Sequence, residues 1–225
     1  MNLGLNPTFE FRIGTRGLTE SQLQGKRVEE LLAGPPKVLQ EHIAPTNYNM
    51  TLLKSLGLNR FVLTLRDPRD VICSLRHHLH RDGAKKVWHI AMAVASGLID
   101  NTFYEHTRQG QMDILIDMAF PKLQSWTEAW LPWLDDPALI IHLIRYDDFA
   151  RDNEAVIRET LQFLGAPSEG DIELPAIDRN AEGIDLSTHY RRGISGAYMD
   201  ELSPEQVRRL EKQVDQGLYR RMGWI

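Results

Sequence analysis

The sequence predicts an α/β fold, a three-layer sandwich with a mainly parallel central sheet flanked by helices. Two observations carry this expectation. Short, nearly continuous apolar runs alternate with segments of helical periodicity. Runs of that kind suit parallel strands covered on both faces better than strands with one wet face. With 225 residues, 42% of them hydrophobic, one sizeable core is within reach, so a single domain over 1–225 is expected.

Residues Met1 to Pro36 are weakly patterned, except that Thr19 to Ala33 reads as a helix with Leu23, Val28, Leu31 and Leu32 on its apolar face. Gly34-Pro35-Pro36 stops it. Three segments read as strands: Lys37 to Ile43, Arg60 to Leu65, and Ala138 to Ile144. Helical patterns cover Asp67 to Arg81, Ala84 to Thr107, Pro121 to Trp133, Asn153 to Leu164 and Pro204 to Gly217. Asp152 or Asn153 can cap the fourth of these, and Gly165 ends it. Ser203-Pro204-Glu205-Gln206 reads as a capping box with proline at the first helical position.

Composition narrows the function. The formal net charge is −5, from 26 Lys+Arg against 31 Asp+Glu, which disfavours a nucleic-acid partner. Cys73 is the one cysteine, so no intramolecular disulfide can form. No apolar run is long enough to span a bilayer, and Met1 to Pro7 lack the pattern of a signal peptide. A cytoplasmic protein with no membrane span is expected.

The informative stretch is Phe61-Val62-Leu63-Thr64-Leu65-Arg66-Asp67-Pro68-Arg69-Asp70-Val71-Ile72-Cys73-Ser74. An apolar strand ends at Arg66. Asp67 can act as N-cap, Pro68 suits the first helical position, and Asp70 stands where a capping-box acid would stand. A helix that opens at the carboxyl end of a parallel strand lies where such sheets bind ligands. Its free N–H groups and the planar fork of Arg66 suit an anion such as phosphate. The plainer alternative is that Arg66 pairs with Asp70 or another acid and that Ser74 only fills the helix.

This stretch resembles the sulfotransferase family, whose donor is 3′-phosphoadenosine 5′-phosphosulfate (PAPS). The family segment reads R-[ND]-P-x-D-V followed by a serine, and Arg66 to Val71 with Ser74 keep that spacing. Three further segments are similar, in the same order. Leu39-Gln40-Glu41-His42-Ile43-Ala44-Pro45 matches the run that carries the catalytic histidine, although Gln40 replaces the usual lysine. Ile144-Arg145-Tyr146-Asp147-Asp148 matches a strand end whose tyrosine approaches adenine. Arg191-Arg192-Gly193-Ile194-Ser195-Gly196-Ala197-Tyr198 matches a loop that closes over the 3′-phosphate.

The resemblance implies a P-loop-like sulfotransferase fold and transfer of a sulfuryl group from PAPS to a hydroxyl or amine. It implies His42 as general base, with Arg66, Ser74, Tyr146, Arg191, Arg192 and Gly193 binding the nucleotide and no metal required. The acceptor, a small molecule or glycan, is not identified by the sequence, and neither is the oligomeric state. One departure stands out. The family's Gly-rich 5′-phosphosulfate loop has no counterpart, and Gly14-Thr15-Arg16-Gly17 lacks its order. The strand bearing that loop lies mid-sheet in the family, so the expectation is an N-terminally incomplete domain with that strand missing. A catalytically inactive or truncated nucleotide-binding or interaction protein on the same scaffold is the alternative, and a small-molecule kinase is a third reading.

Other conspicuous residues have structural explanations. His77 and His80 share a helix face, but no acid or cysteine completes a metal set. Trp126, Trp130 and Trp133 recur at helical spacing and read as core or groove lining. Cys73 reads as a buried helix residue.

Overall fold

β1 (Arg60–Leu65) and β2 (Ile140–Arg145) run parallel, in register from Arg60 opposite Ile140 to Leu65 opposite Arg145. The computed structural model describes residues 21–34, 41–81, 86–172 and 194–225. Side-chain alternation sends Phe61, Leu63 and Leu65 to one face of β1 and Arg60, Val62 and Thr64 to the other. On the first face Phe61 meets Trp130 edge-on, with centroids 6.1 Å apart, and Leu63 and Leu65 are buried. On the second, Arg60 lies over the Phe163 ring at 4.2 Å, and His142, paired with Val62, stacks on that ring at 5.1 Å. Phe163 is the last residue of a helix, so helical segments lie against both faces and the chain is α/β. Burial is unequal, however. Thr64 is exposed and Ile140 is 48% exposed, while on the other side Leu63 and Leu65 are buried and Phe61 is half-buried.

Around this small sheet the described chain is mostly helical. α1 (Gly25–Leu32) and α2 (Asn47–Ser55) precede β1. Between the strands come α3 (Pro68–Arg81), α4 (Lys86–Ala95), α5 (Arg108–Ile114), α6 (Phe120–Glu128) and α7 (Leu131–Leu134). A π-helical turn, Leu115–Ala119, joins α5 to α6. α8 (Tyr146–Arg151) and α9 (Asn153–Phe163) follow β2, and α10 (Tyr198–Glu201), α11 (Pro204–Glu211) and α12 (Gln216–Met222) close the described chain. Ile72 of α3, Phe103, Ile116, Phe120, Leu210 and Tyr219 share one core without measurable exposure. Among the described residues no helix is long and apolar enough to cross a membrane.

Local signals act as read at several ends. Pro68 opens α3, Ser203 and Gln206 form the reciprocal capping box, and Asp152 caps α9 by accepting from the Ala155 N–H. Gly165, at φ +69°, stops α9 as the Ala166 N–H reaches back to the Leu161 carbonyl. Cys73 is buried in α3.

Other expectations are corrected. The helix over Ala84 to Thr107 breaks after Ala95, where Gly97 at φ +62° lets the Leu98 N–H bond the Ala93 carbonyl. α2 and α5 were not foreseen, although Thr46 and Thr107 cap them through the Asn49 and Gly110 N–H groups. Of the strand expected over Lys37 to Ile43, residues 37–40 lie outside the described residues, and Ile43 makes only an isolated parallel bridge to Ser21.

Asn49 does the work of a ladder at that bridge. Fully buried, it accepts from the Leu23 N–H at 2.8 Å and donates to the Ser21 and Ala44 carbonyls at 2.9 and 2.7 Å. Asn49→Ala leaves the Leu23 N–H without that partner, while the Ser21 and Ala44 carbonyls keep the Ala44 and Thr46 N–H groups, and a buried group left unsatisfied costs about 1–3 kcal/mol. Urea unfolding is therefore expected to show a loss of about 1–3 kcal/mol, with an unchanged m-value.

Candidate functional site

Parallel pairing brings the carboxyl ends of β1 and β2 side by side, with Leu65 opposite Arg145. The next residues, Arg66 and Tyr146, therefore meet, and the Arg66 guanidinium lies over the Tyr146 ring at 4.2 Å. Its Nη2 is 4.0 Å from Asp70 Oδ2, one helical turn along, while its Nε is buried with no hydrogen-bond partner. Arg66 is thus flanked by an aromatic face and a carboxylate, and it keeps an unspent donor.

Asp70 does not act as a capping-box acid. Its carboxylate, 0% exposed, accepts from the Gly196 N–H at 2.8 Å and the Tyr198 N–H at 3.0 Å. The local cap is Asp67, which accepts from the Arg69 N–H at 2.8 Å through its side chain and from the Asp70 and Val71 N–H groups through its carbonyl. The Ser195 hydroxyl donates to Asp147, so the Ile194–Tyr198 turn touches both strand-end helices.

Arg69 points into the C-terminal helices. It donates to Asp67 from Nε and Nη2, at 2.9 and 2.7 Å to Oδ2, to Glu211 at 2.8 Å, and to the Trp224 carbonyl at 3.0 Å. Tyr198 and Tyr219 flank its guanidinium at 4.6 and 4.7 Å. Burial disfavours the Arg69 charge, but the hydrogen bonds and charge of Asp67 outweigh burial, and its pKa lies above the ordinary arginine value. Burial pushes the Tyr198 hydroxyl up to about 12, and it donates to Glu211 as a neutral phenol.

His42 is exposed and borders a cavity of about 530 Å³ that Arg66 also lines. Phe61, Leu123, Trp126 and Trp130 supply apolar wall. The tryptophans do more than fill space. Trp126 donates its indole N–H to the Ile43 carbonyl at 3.1 Å, and Trp133 donates to the Pro45 carbonyl at 2.9 Å, so α6 and α7 hold the backbone that carries His42. Trp130 is 3% exposed, and its buried indole N–H has no partner.

The structure therefore groups His42 with Arg66 around one cavity and Arg66 with Tyr146 in direct contact. Ser74 is half-buried two turns into α3 and is not among the residues lining that cavity. Arg191, Arg192 and Gly193 lie outside the described residues, as does Gly14 to Gly17. Among the described residues no three His, Cys, Asp or Glu converge on a metal position, and His80 bonds Gln111 at 2.9 Å. Sequence reasoning missed Arg69, Glu211 and Tyr219; the signal was a turn carrying two acids and two arginines in five residues, more charge than one cap needs.

Arg69→Met leaves Asp67 buried and unpaired, and losing one partner of a buried pair costs about 3–5 kcal/mol. The same loss is expected here by denaturant unfolding. Adding Asp67→Asn, which removes the stranded charge, is expected to restore part of it.

Comparison with curated proteins gives no match. A family model described as "Sulfotransferase domain" matches residues 33–222, a span that takes in the His42 segment, both strand ends and the C-terminal helices. The chain therefore belongs to the sulfotransferase domain family.

Proposed function

We propose that the protein transfers a sulfuryl group from PAPS to a hydroxyl or amine of a small acceptor, with His42 as general base. The observation that carries this reading is Arg66 at the sheet's carboxyl edge, stacked on Tyr146 with a buried, unspent donor, in the wall of the cavity that His42 borders. A guanidinium in that state suits a phosphate, which can accept from it in bidentate fashion. Arg66, Ser74, Arg191, Arg192 and Gly193 bind the 3′-phosphate end in this reading, and Tyr146 contacts the adenine.

The bond from sulfur to the bridging phosphate oxygen breaks as the bond from sulfur to the acceptor oxygen or nitrogen forms. The acceptor's proton passes to His42, and the nucleotide leaves with the charge of the broken bond. Imidazole ordinarily titrates at about 6.5, so a neutral base is available near neutrality. The walls of Phe61, Leu123, Trp126 and Trp130 suit the carbon skeleton of an acceptor whose reacting group faces His42.

Calorimetric titration with 3′,5′-adenosine bisphosphate tests the nucleotide half. Micromolar binding is expected, with Arg66→Ala weaker by at least about tenfold, as for loss of a hydrogen bond between charged groups. Turnover of PAPS with phenol, sugar and tyrosyl-peptide acceptors, read as sulfated product, tests the other half. His42→Ala is expected to keep nucleotide binding and to lose about 10²–10⁴-fold in rate. Binding indifferent to Arg66, or turnover indifferent to His42, contradicts the reading.

A further inference from the structure

We infer that Asp70 is a positioning residue for recognition of the 3′-phosphate: its buried carboxylate fastens the Ile194–Tyr198 turn to the helix start beside Arg66. This rests on the nucleotide reading above. A carboxylate with no exposure is expensive to bury unless its oxygens are well bonded. Each oxygen of Asp70 takes a backbone N–H from more than 100 residues away, Gly196 on Oδ2 and Tyr198 on Oδ1. Arg66 approaches Oδ2 at 4.0 Å. One carboxylate thus touches two of the segments assigned to the nucleotide, the strand-end arginine and the turn that continues from Arg191-Arg192-Gly193.

The turn is built to be held this way. Gly196 has φ +76°, a conformation that side chains with a Cβ adopt only under strain. That twist presents the Gly196 and Tyr198 N–H groups to one acceptor, and the Ser195 hydroxyl donates to Asp147 on the neighbouring strand-end helix. Asp70 itself need not touch the ligand. It also faces Arg66 as a counter-charge and so orients the fork.

The test compares affinities for 3′,5′-adenosine bisphosphate and 5′-AMP, which lacks the 3′-phosphate, in the full chain. The ratio of the two does not depend on how much of a variant is unfolded. Asp70→Asn, which can still accept but has lost its charge and one acceptor oxygen, is expected to lower the ratio about tenfold, with 5′-AMP binding little changed. Gly196→Ala keeps Asp70 and strains the turn, so it tests the same link if the Asp70 variant does not fold; the ratio is expected to fall there too. A ratio unchanged in the foldable variants but collapsed in Arg66→Ala overturns this inference and leaves the nucleotide reading standing. No preference for the 3′-phosphate in the unmodified chain overturns both.

Discussion

A buried ion pair at the start of α3 joins the carboxyl end of β1 to the C-terminal helices. Asp67 and Arg69 are 7% and 5% exposed at their side chains and lie 2.7 Å apart. Such a pair is weak evidence for stability, since apolar residues of the same size can serve as well. What it secures is placement. Arg69 spends its remaining donors on Glu211 and the Trp224 carbonyl, and Tyr219 donates to Asp67 at 3.3 Å. The C-terminal helices are thereby keyed to the carboxyl end of β1, where an α/β sheet keeps its ligand site.

The Arg66–Asp70 segment divides its charges by direction. Arg66 and Asp70, four residues apart, share one side of the helix start and face Tyr146 and the Ile194–Tyr198 turn. Asp67 and Arg69 face α11, α12 and Trp224. Arg66 can remain underbonded because the other three charges are satisfied elsewhere. An arginine with a spare buried donor is a poor structural element and a good anion ligand.

Much of the scaffold was legible because its signals are local. The apolar run at Phe61 to Leu65, proline at position 68, the Ser203–Gln206 box and the stop at Gly165 each act within a few residues of chain. The side-by-side placement of Arg66 and Tyr146 was implicit in two parallel strands ending at equivalent points. Long-range polar contacts were not legible. Asp70 has the spacing of a local cap, yet its partners lie 126 and 128 residues away. Asn49 likewise serves the backbone of Leu23 and Ser21, 26 and 28 residues away. The break at Gly97 had a local signal, which the apolar pattern on either side masked.

The most direct measurement is native-state amide hydrogen exchange at four sites: Asp70 and Val71, whose N–H groups bond the Asp67 carbonyl, and Gly196 and Tyr198, whose N–H groups bond the Asp70 carboxylate. If the α3 start and the C-terminal turn form one joint, all four open together with one free energy. Free exchange at Gly196 and Tyr198 while Val71 stays protected would contradict the joint and the placement of the site that depends on it.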